Sequence, residues 1–194
     1  MQVFTASNPN YEEQVKIGFA RQNVMNAIGA YLMKIAPGQV EIALNFRGDL
    51  TQQHEYLHAG IVTIIADSAC GFAAFSLMPE NSEILTVEYK VNFMSPARGE
   101  KFIATGRVIK PGRTLTVCAG EVAAIDGEVS KTIAVIQTTM MRLVEGDERQ
   151  IGRARHDADD FESRLIRAEV ELSPGSAAKR QERKISREEQ LCFI

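Results

Sequence analysis

A histidine and an aspartate lie nine residues apart in the stretch 58–78, which reads HAGIVTIIADSACGFAAFSLM. Asp67 is the anomaly in this apolar segment, because burying a carboxylate costs several kcal/mol unless it is paired, hydrogen-bonded or hydrated. A carboxylate at a binding site can act as a general base or as a nucleophile. Chemistry alone therefore leaves two interpretations of Asp67, a buried hydrogen-bonding group and a catalytic residue.

The segment His58-Ala59-Gly60 supplies a second chemical feature, the start of a helix. The first N–H groups of a helix have no intrahelical partners and lie at the positive end of its dipole, where they can stabilise a developing oxyanion. Gly60 would let a ligand or another backbone approach closely, whereas His58 is alternatively a structural cap. Because Asp67 lies about two and a half turns further on, it would share a substrate with this segment only across two subunits.

The pattern of residues 58–78 predicts a buried helix that holds these groups. A helix that is apolar all round lies inside a protein, and Asp67, Ser68 and Gly71 interrupt the segment too much for a membrane span. Its apolar residues are Ile61, Val62, Ile64, Ile65, Ala66, Ala69, Phe72, Ala73, Phe75 and Leu77.

The flanking segments predict a sheet. Alternating apolar and polar residues indicate strands, and short connections between them favour an antiparallel meander. Asp126-Gly127 predicts a type I′ hairpin turn. The predicted strands are 39–46, 84–94, 101–109, 114–125 and 129–143, and a helix over 9–30 is expected to stop at Gly29.

Together these elements predict an α+β fold, a curved antiparallel sheet of about five to six strands wrapped around one long central helix. The open edges of such a sheet are normally blunted or paired, so we expect a homo-oligomer. This domain covers residues 1–145. Residues 146–194 are rich in charge and poor in large apolar side chains, which predicts a tail that is disordered or marginally helical.

Composition excludes several classes of protein. The net charge of −3 gives no indication of a nucleic-acid partner. Cys70, Cys118 and Cys192 are odd in number and widely spaced, so neither a disulfide framework nor a metal site is expected. We see no signal peptide, lipidation box or membrane segment and expect a cytoplasmic protein without membrane contact.

The stretch HAGIVTIIAD resembles the His-Gly-Gly…Asp motif of the PaaI-type (phenylacetic acid degradation-related) acyl-CoA thioesterases, which have the hotdog fold. The resemblance continues in TVEYKVNFMSPARGE (86–100), GRVIKPGRTL (106–115) and DGEV (126–129). It implies hydrolysis of acyl-CoA to a free acid and coenzyme A by a homodimer or a dimer of dimers. Each site would lie across a subunit interface, and no cofactor is implied, since coenzyme A belongs to the substrate.

The resemblance also implies roles for individual residues. Asp67 would be the base or nucleophile, the Ala59 N–H would hold the thioester oxygen, and His58 would shape the loop with Gly60. Thr86 would orient the attacking water. The implied contacts to coenzyme A are Ser95, Arg98, Lys110, Gly112 and Arg113.

Two positions depart from the family pattern. Ala59 replaces the first Gly of the motif, which is harmless unless the turn needs a positive φ there. Gln52 replaces a common Asn, six residues before His58, and adds a methylene that could displace the water.

Three other functions remain as alternatives. A non-catalytic acyl-CoA sensor would bind tightly without turnover. A hotdog hydratase or dehydratase would carry a different pattern around its histidine. A scaffold using the charged tail has no positive support in the sequence.

Overall fold

The structure is a computed structural model that describes residues 3–144. The predicted tail over 146–194 lies outside the described residues. The helices are α1 (Tyr11–Ala20), α2 (Asn23–Ile28) and α3 (Ala59–Phe75), with a short 3-10 turn at Gly48–Leu50. The strands are β1 (Tyr31–Ala36), β2 (Gln39–Asn45), β3 (Ser82–Phe93), β4 (Lys101–Lys110), β5 (Leu115–Asp126) and β6 (Val129–Val144).

The six strands form one antiparallel sheet in the order β1-β2-β4-β5-β6-β3. Helix α3 packs across one face, chiefly against β2, β4 and β5. The core lies between the helix and this face of the sheet, with Ile65, Ala69, Phe102 and Val122 fully buried. The predicted α+β hotdog architecture is confirmed.

Two glycines let α3 lie unusually close to the sheet. Gly106 and Gly120 face each other in the β4–β5 register. A Cβ atom on Gly106 would lie 2.2 Å from the carbonyl carbon of Ala69, and one on Gly120 would lie 2.8 Å from the sulfur of Cys70. Any side chain here would push the helix off the sheet, so the pair fixes the position of α3.

The prediction of one continuous helix over residues 9–30 is wrong. The segment forms two helices, because Gln22 adopts an extended conformation and caps the second one. Gly29 ends that helix with φ +75°, as predicted. Strand β1 was not predicted from the sequence. Its burial does not alternate, because its register with β2 shifts between Leu32 and Lys34.

The predicted four-stranded meander is also wrong, since β3 pairs with β6 and not with β4. Residues 94–100 cross the ends of β6 and β5, where the Met94 N–H donates to the Ile133 carbonyl and the Glu100 N–H to the Ile125 carbonyl. Seven extended residues span more than 20 Å, and three strand spacings need only about 15 Å. A short connection therefore does not require neighbouring strands.

The β5–β6 turn differs from the predicted type I′ turn. Asp126 pairs with Val129, so Gly127 and Glu128 are the central residues. Among the described residues, φ is positive at Gly127 but not at Glu128. Positive φ at the first central residue alone is the pattern of a type II′ turn.

Helix α3 is not buried all round in the single chain. Gly60, Ile64, Asp67 and Gly71 are half-buried and follow one another at helical spacing. This stripe therefore faces away from the sheet core. Within residues 3–144, no helix is long and apolar enough to cross a membrane.

Candidate active site

Asp67 lies on the half-buried stripe of α3 and is held by a side chain from β3. The Thr86 hydroxyl donates to the Asp67 carboxylate, at 3.0 Å from Oδ1 and 3.2 Å from Oδ2. Burial raises the pKa of Asp67 above the usual range for an aspartate, and the hydrogen bond from Thr86 partly offsets this rise. The carboxylate is thus oriented, partly desolvated and more basic than an exposed one.

His58 caps the beginning of α3. Its Nδ1 accepts the Gly60 N–H at 2.9 Å, so this ring nitrogen carries no proton. A Cβ atom on Gly60 would lie 3.1 Å from that nitrogen. Gly60 therefore accommodates the histidine ring, and its N–H is already occupied.

The neighbouring Ala59 N–H is the first of the helix and has no acceptor among the described residues. Positive φ values occur in the described chain at three glycines and, among other residues, only at Glu55 and Asn81. Ala59 therefore has an ordinary helical φ, and alanine fits where the related motif has glycine. Of the amides in this turn, the one at Ala59 is available to an oxyanion.

A cavity of about 430 Å³ opens beside this amide, and we call it the Ala59 cavity. Gln52 and Ser95 are polar residues in its lining, and the Gln52 Oε1 accepts the backbone N–H of His54. The remaining lining residues are Tyr56, Leu57, Val62, Phe93, Pro96, Ala97 and Ile133. The cavity therefore combines a free N–H donor with a mostly apolar wall.

The structure does not bring Asp67 to the Ala59 cavity of the same chain. Asp67 is eight positions after Ala59, which corresponds to about 12 Å along the helix, and it is not among the residues that line this cavity. This agrees with the sequence argument that the two groups do not meet within one subunit.

The five predicted coenzyme A contacts fall in three places. Ser95 lines the Ala59 cavity. Arg98 lines a separate cavity of about 570 Å³ together with two acidic residues, Glu55 and Asp126. The β4–β5 turn holds the other three contacts, since Lys110 is the last residue of β4 and Gly112 and Arg113 follow it. This end of β4 lies about 30 Å from the start of the strand at Lys101.

The β4–β5 turn is tightly packed at Gly112. The Gly112 N–H donates to the Thr116 hydroxyl at 3.4 Å. A Cβ atom at Gly112 would lie 2.1 Å from the Leu115 carbonyl oxygen. The turn itself therefore requires glycine at position 112, and no bound ligand is needed to explain this residue.

The two described cysteines are core residues. Burial raises the pKa of the Cys118 thiol to about 12 and that of Cys70 higher still, so both stay protonated and unreactive at neutral pH. Between residues 3 and 144, no cluster of His, Cys, Asp or Glu side chains is arranged to hold a metal ion.

Tyr56, Phe93 and Ile133 are among the residues of the Ala59 cavity that were not predicted from the sequence. They come from the loop before α3, the end of β3 and the start of β6. The strand alternation places Phe93 on one face of β3, but only the β3–β6 pairing places that face beside the helix start.

Comparison with known proteins places this geometry in a family. Residues 54–131 match the family model described as the thioesterase superfamily. A thioesterase family protein from Silicibacter pomeroyi is 48% identical over 69% of this chain and 98% of its own length, with a TM-score of 0.68. The chain belongs to the thioesterase superfamily. Its hotdog fold is the fold of that superfamily, and the matched segment contains both His58 and Asp67.

The chain is also similar, at lower identity, to two other proteins. A Saccharolobus solfataricus protein provisionally named an esterase is 28% identical over 131 residues, which cover 68% of this chain and 85% of that protein. The Escherichia coli PaaI protein from the phenylacetic acid degradation operon is 17% identical, with a TM-score of 0.61, over 69% of this chain and 94% of its own. At that identity the likeness is one of fold alone.

Proposed function

We propose that this member of the thioesterase superfamily is a PaaI-type acyl-CoA thioesterase that hydrolyses acyl-CoA to a free acid and coenzyme A. Its active unit is a homodimer in which each site combines Asp67 of one chain with the Ala59 N–H of the other. The observation that carries the proposal is the separation of these two groups along α3, together with the edge position of β3, which pairs only with β6 among the described residues.

Strand β3 has the properties of a subunit interface. Within residues 3–144 it is an edge of the sheet, so one side of its backbone has no partner in this part of the chain. Four of its large apolar side chains are each about half exposed. Exposed apolar side chains on an edge strand favour aggregation unless they are covered. These side chains are Leu85, Val87, Tyr89 and Phe93.

Two-fold pairing of β3 would assemble the site. Two copies of the strand paired antiparallel would set the Phe93 end of one beside the Ser82 end of the other. Phe93 lines the Ala59 cavity, whereas Asp67 is bonded to Thr86 toward the Ser82 end. The pairing would therefore direct Asp67 of each chain toward the Ala59 N–H of the other.

In the proposed reaction, the Ala59 N–H donates to the thioester oxygen and stabilises its negative charge as the tetrahedral intermediate forms. Asp67 accepts a proton from the attacking water, and Thr86 keeps the carboxylate oriented. Collapse of the intermediate breaks the carbon–sulfur bond and the proton passes to the leaving thiolate. In a variant of this scheme, an Asp67 oxygen attacks the carbonyl carbon and the coenzyme A thiolate leaves, and water then hydrolyses the resulting mixed anhydride to the free acid and Asp67.

The β4–β5 turn is the better candidate for the coenzyme A phosphates. Arg98 shares its cavity with the carboxylates of Glu55 and Asp126, which oppose the approach of a phosphate. Lys110 and Arg113 have exposed side chains and no acidic partner among the described residues.

Release of free thiol from a panel of acyl-CoAs, measured with a colorimetric thiol reagent, tests the proposal. The change Asp67→Asn keeps the size of the side chain and an acceptor for the Thr86 hydroxyl, but it removes the base. We expect kcat to fall by at least about 100-fold. Asp49→Asn is the matched control, because Asp49 is an exposed aspartate paired with Arg47.

Turnover by Asp67→Asn at the wild-type rate would show that the assigned base is wrong. Saturable acyl-CoA binding by the wild-type protein without any thiol release would instead favour the sensor and contradict the proposed hydrolysis.

A further inference from the structure

The walls of the Ala59 cavity restrict the acyl group that a substrate could carry. We infer that this acyl group is uncharged, apolar and compact, and that it lies in the cavity against Val62, Phe93 and Ile133. The inference rests on the proposed acyl-CoA hydrolysis and names the substrate class of that same site.

The described lining of the cavity carries no charge. None of its ten residues is Asp, Glu, Lys, Arg or His, and its polar side chains are Gln52, Tyr56 and Ser95. The Gln52 Oε1 accepts from a backbone N–H within its own loop. A second carboxylate on the acyl group would thus lose its water without gaining an ionic partner, which is strongly unfavourable.

Arg98, in the loop that follows Ala97, does not relieve this cost. It lines a different cavity, together with the carboxylates of Glu55 and Asp126. The reacting end of the proposed site also contains Asp67, a carboxylate that would repel a second negative charge on the acyl group. Dicarboxylic acyl groups such as succinyl are therefore excluded by the charge distribution.

The floor of the cavity limits the length of the acyl group. Leu57, Val62 and Ile133 are at most 2% exposed and belong to the hydrophobic core. A well-packed core does not open to admit further methylenes. Phe93, by contrast, is 49% exposed and forms the outer wall. An acyl group that lies in this cavity therefore ends at the buried floor.

The first test compares four substrates of the wild-type protein: hexanoyl-, benzoyl-, succinyl- and dodecanoyl-CoA. We expect kcat/KM for succinyl-CoA to be at least about 100-fold below that for hexanoyl-CoA. For dodecanoyl-CoA we expect a loss of about tenfold or more.

The outcomes separate the two proposals. Absence of thiol release from all four substrates would contradict the proposed function itself. A kcat/KM for succinyl-CoA within about threefold of that for hexanoyl-CoA would agree with the proposed thioesterase activity but contradict the exclusion of charged acyl groups. Equal or faster hydrolysis of dodecanoyl-CoA would overturn the limit on length.

A second test places a cation in the wall. Tyr56 is half-buried in the lining, so Tyr56→Arg can reach the cavity while its stem replaces part of the ring. We expect the hexanoyl to succinyl ratio of kcat/KM to fall by about tenfold. Tyr11→Arg is the matched control, because Tyr11 is a half-buried tyrosine on α1, away from the cavity.

The ratio of two substrates on one preparation is independent of the folded fraction, so partial unfolding of a variant does not affect this test. A ratio that changes equally in Tyr56→Arg and Tyr11→Arg, or in neither, would place the acyl group elsewhere.

A third test deepens the floor. Val62→Ala removes two methyl groups from a cavity wall, and Val40→Ala removes the same groups from a fully buried site in β2 that does not line the cavity. We expect the octanoyl to hexanoyl ratio to rise several-fold in Val62→Ala and to stay constant in Val40→Ala. Equal ratios in both variants would contradict the assigned floor.

Discussion

At the scale of single residues, the start and the middle of α3 carry different chemical groups. At Asp67, burial opposes the charged form, while the Thr86 hydroxyl favours it. At the helix start, the His58 ring satisfies the Gly60 N–H, so the free donor is the one at Ala59. The chain thus separates a basic carboxylate from a free amide by about 12 Å of helix.

Ala59→Pro removes this single donor. Proline is tolerated at the first position of a helix, where its missing N–H costs no intrahelical bond, and His58 already has the extended ψ of 137° that a following proline requires. We expect α3 to remain intact, as judged by circular dichroism, while kcat for thioester hydrolysis falls about 100- to 1,000-fold.

Ala59→Gly is the control for that change, since it retains the N–H and restores the glycine of the related motif. Wild-type turnover by Ala59→Pro would remove Ala59 from the proposed oxyanion site.

Thr86→Val tests the electrostatics of Asp67. The Thr86 hydroxyl lowers the pKa of Asp67 against the rise caused by burial, so its removal raises the pKa further. The active, deprotonated form then appears only at higher pH. We expect the acid limb of the kcat/KM profile to move to higher pH, with a greater loss of rate at pH 6 than at pH 9. An equal loss at all pH values would assign Thr86 a role other than tuning Asp67.

At the scale of elements, the fold depends on how closely α3 approaches β4 and β5. The facing pair Gly106 and Gly120 lies directly under Ala69 and Cys70 of the helix. This contact sets the height of α3 above the sheet and with it the position of Asp67, two residues earlier in the helix.

Gly106→Ala is expected to lower the free energy of unfolding by about 3 kcal/mol. Its Cβ atom would meet the Ala69 backbone at 2.2 Å, and backbone cannot move aside as a side-chain end can. Chemical denaturation measures the change. Gly48→Ala is the control, because a Cβ atom there would meet nothing within 4 Å. Equal stability of the two variants would contradict the proposed role of the glycine pair.

At the scale of the whole molecule, the proposed dimer predicts complementation between two inactive chains. Asp67→Asn retains Ala59, and Ala59→Pro retains Asp67. A mixed dimer would contain one site with both groups intact and one site with neither. We expect each variant alone to be inactive and co-expressed mixed dimers, purified through two different tags, to recover about half of the wild-type rate.

Sites contained within one chain would give no recovery in that experiment, because neither chain would hold a complete set of groups. Such a result would contradict the cross-subunit site even if both single variants behave as expected.

The sequence by itself determined the local features of this protein. The apolar pattern of residues 58–78 predicts the central helix, and it leaves Asp67 as an isolated carboxylate. Strand alternation predicts the ends of β2 and β3–β6 to within two residues. The nine-residue spacing from His58 to Asp67 already indicates that the two do not meet in one chain. Backbone geometry sets these periodicities locally, so they can be recognised from a short window of sequence.

Only the tertiary structure decided which strands are neighbours and what surrounds the helix start. The alternation in β3 is compatible with pairing to β4 or to β6, and only long-range packing selects β6. The Ala59 cavity depends on that choice, because Phe93 and Ile133 meet beside α3 only when β3 and β6 are paired. Arg98 and the Lys110–Arg113 turn look alike as basic loops in sequence, but they lie at opposite ends of β4. Contacts between distant segments depend on the packing of the whole core, which no local pattern records.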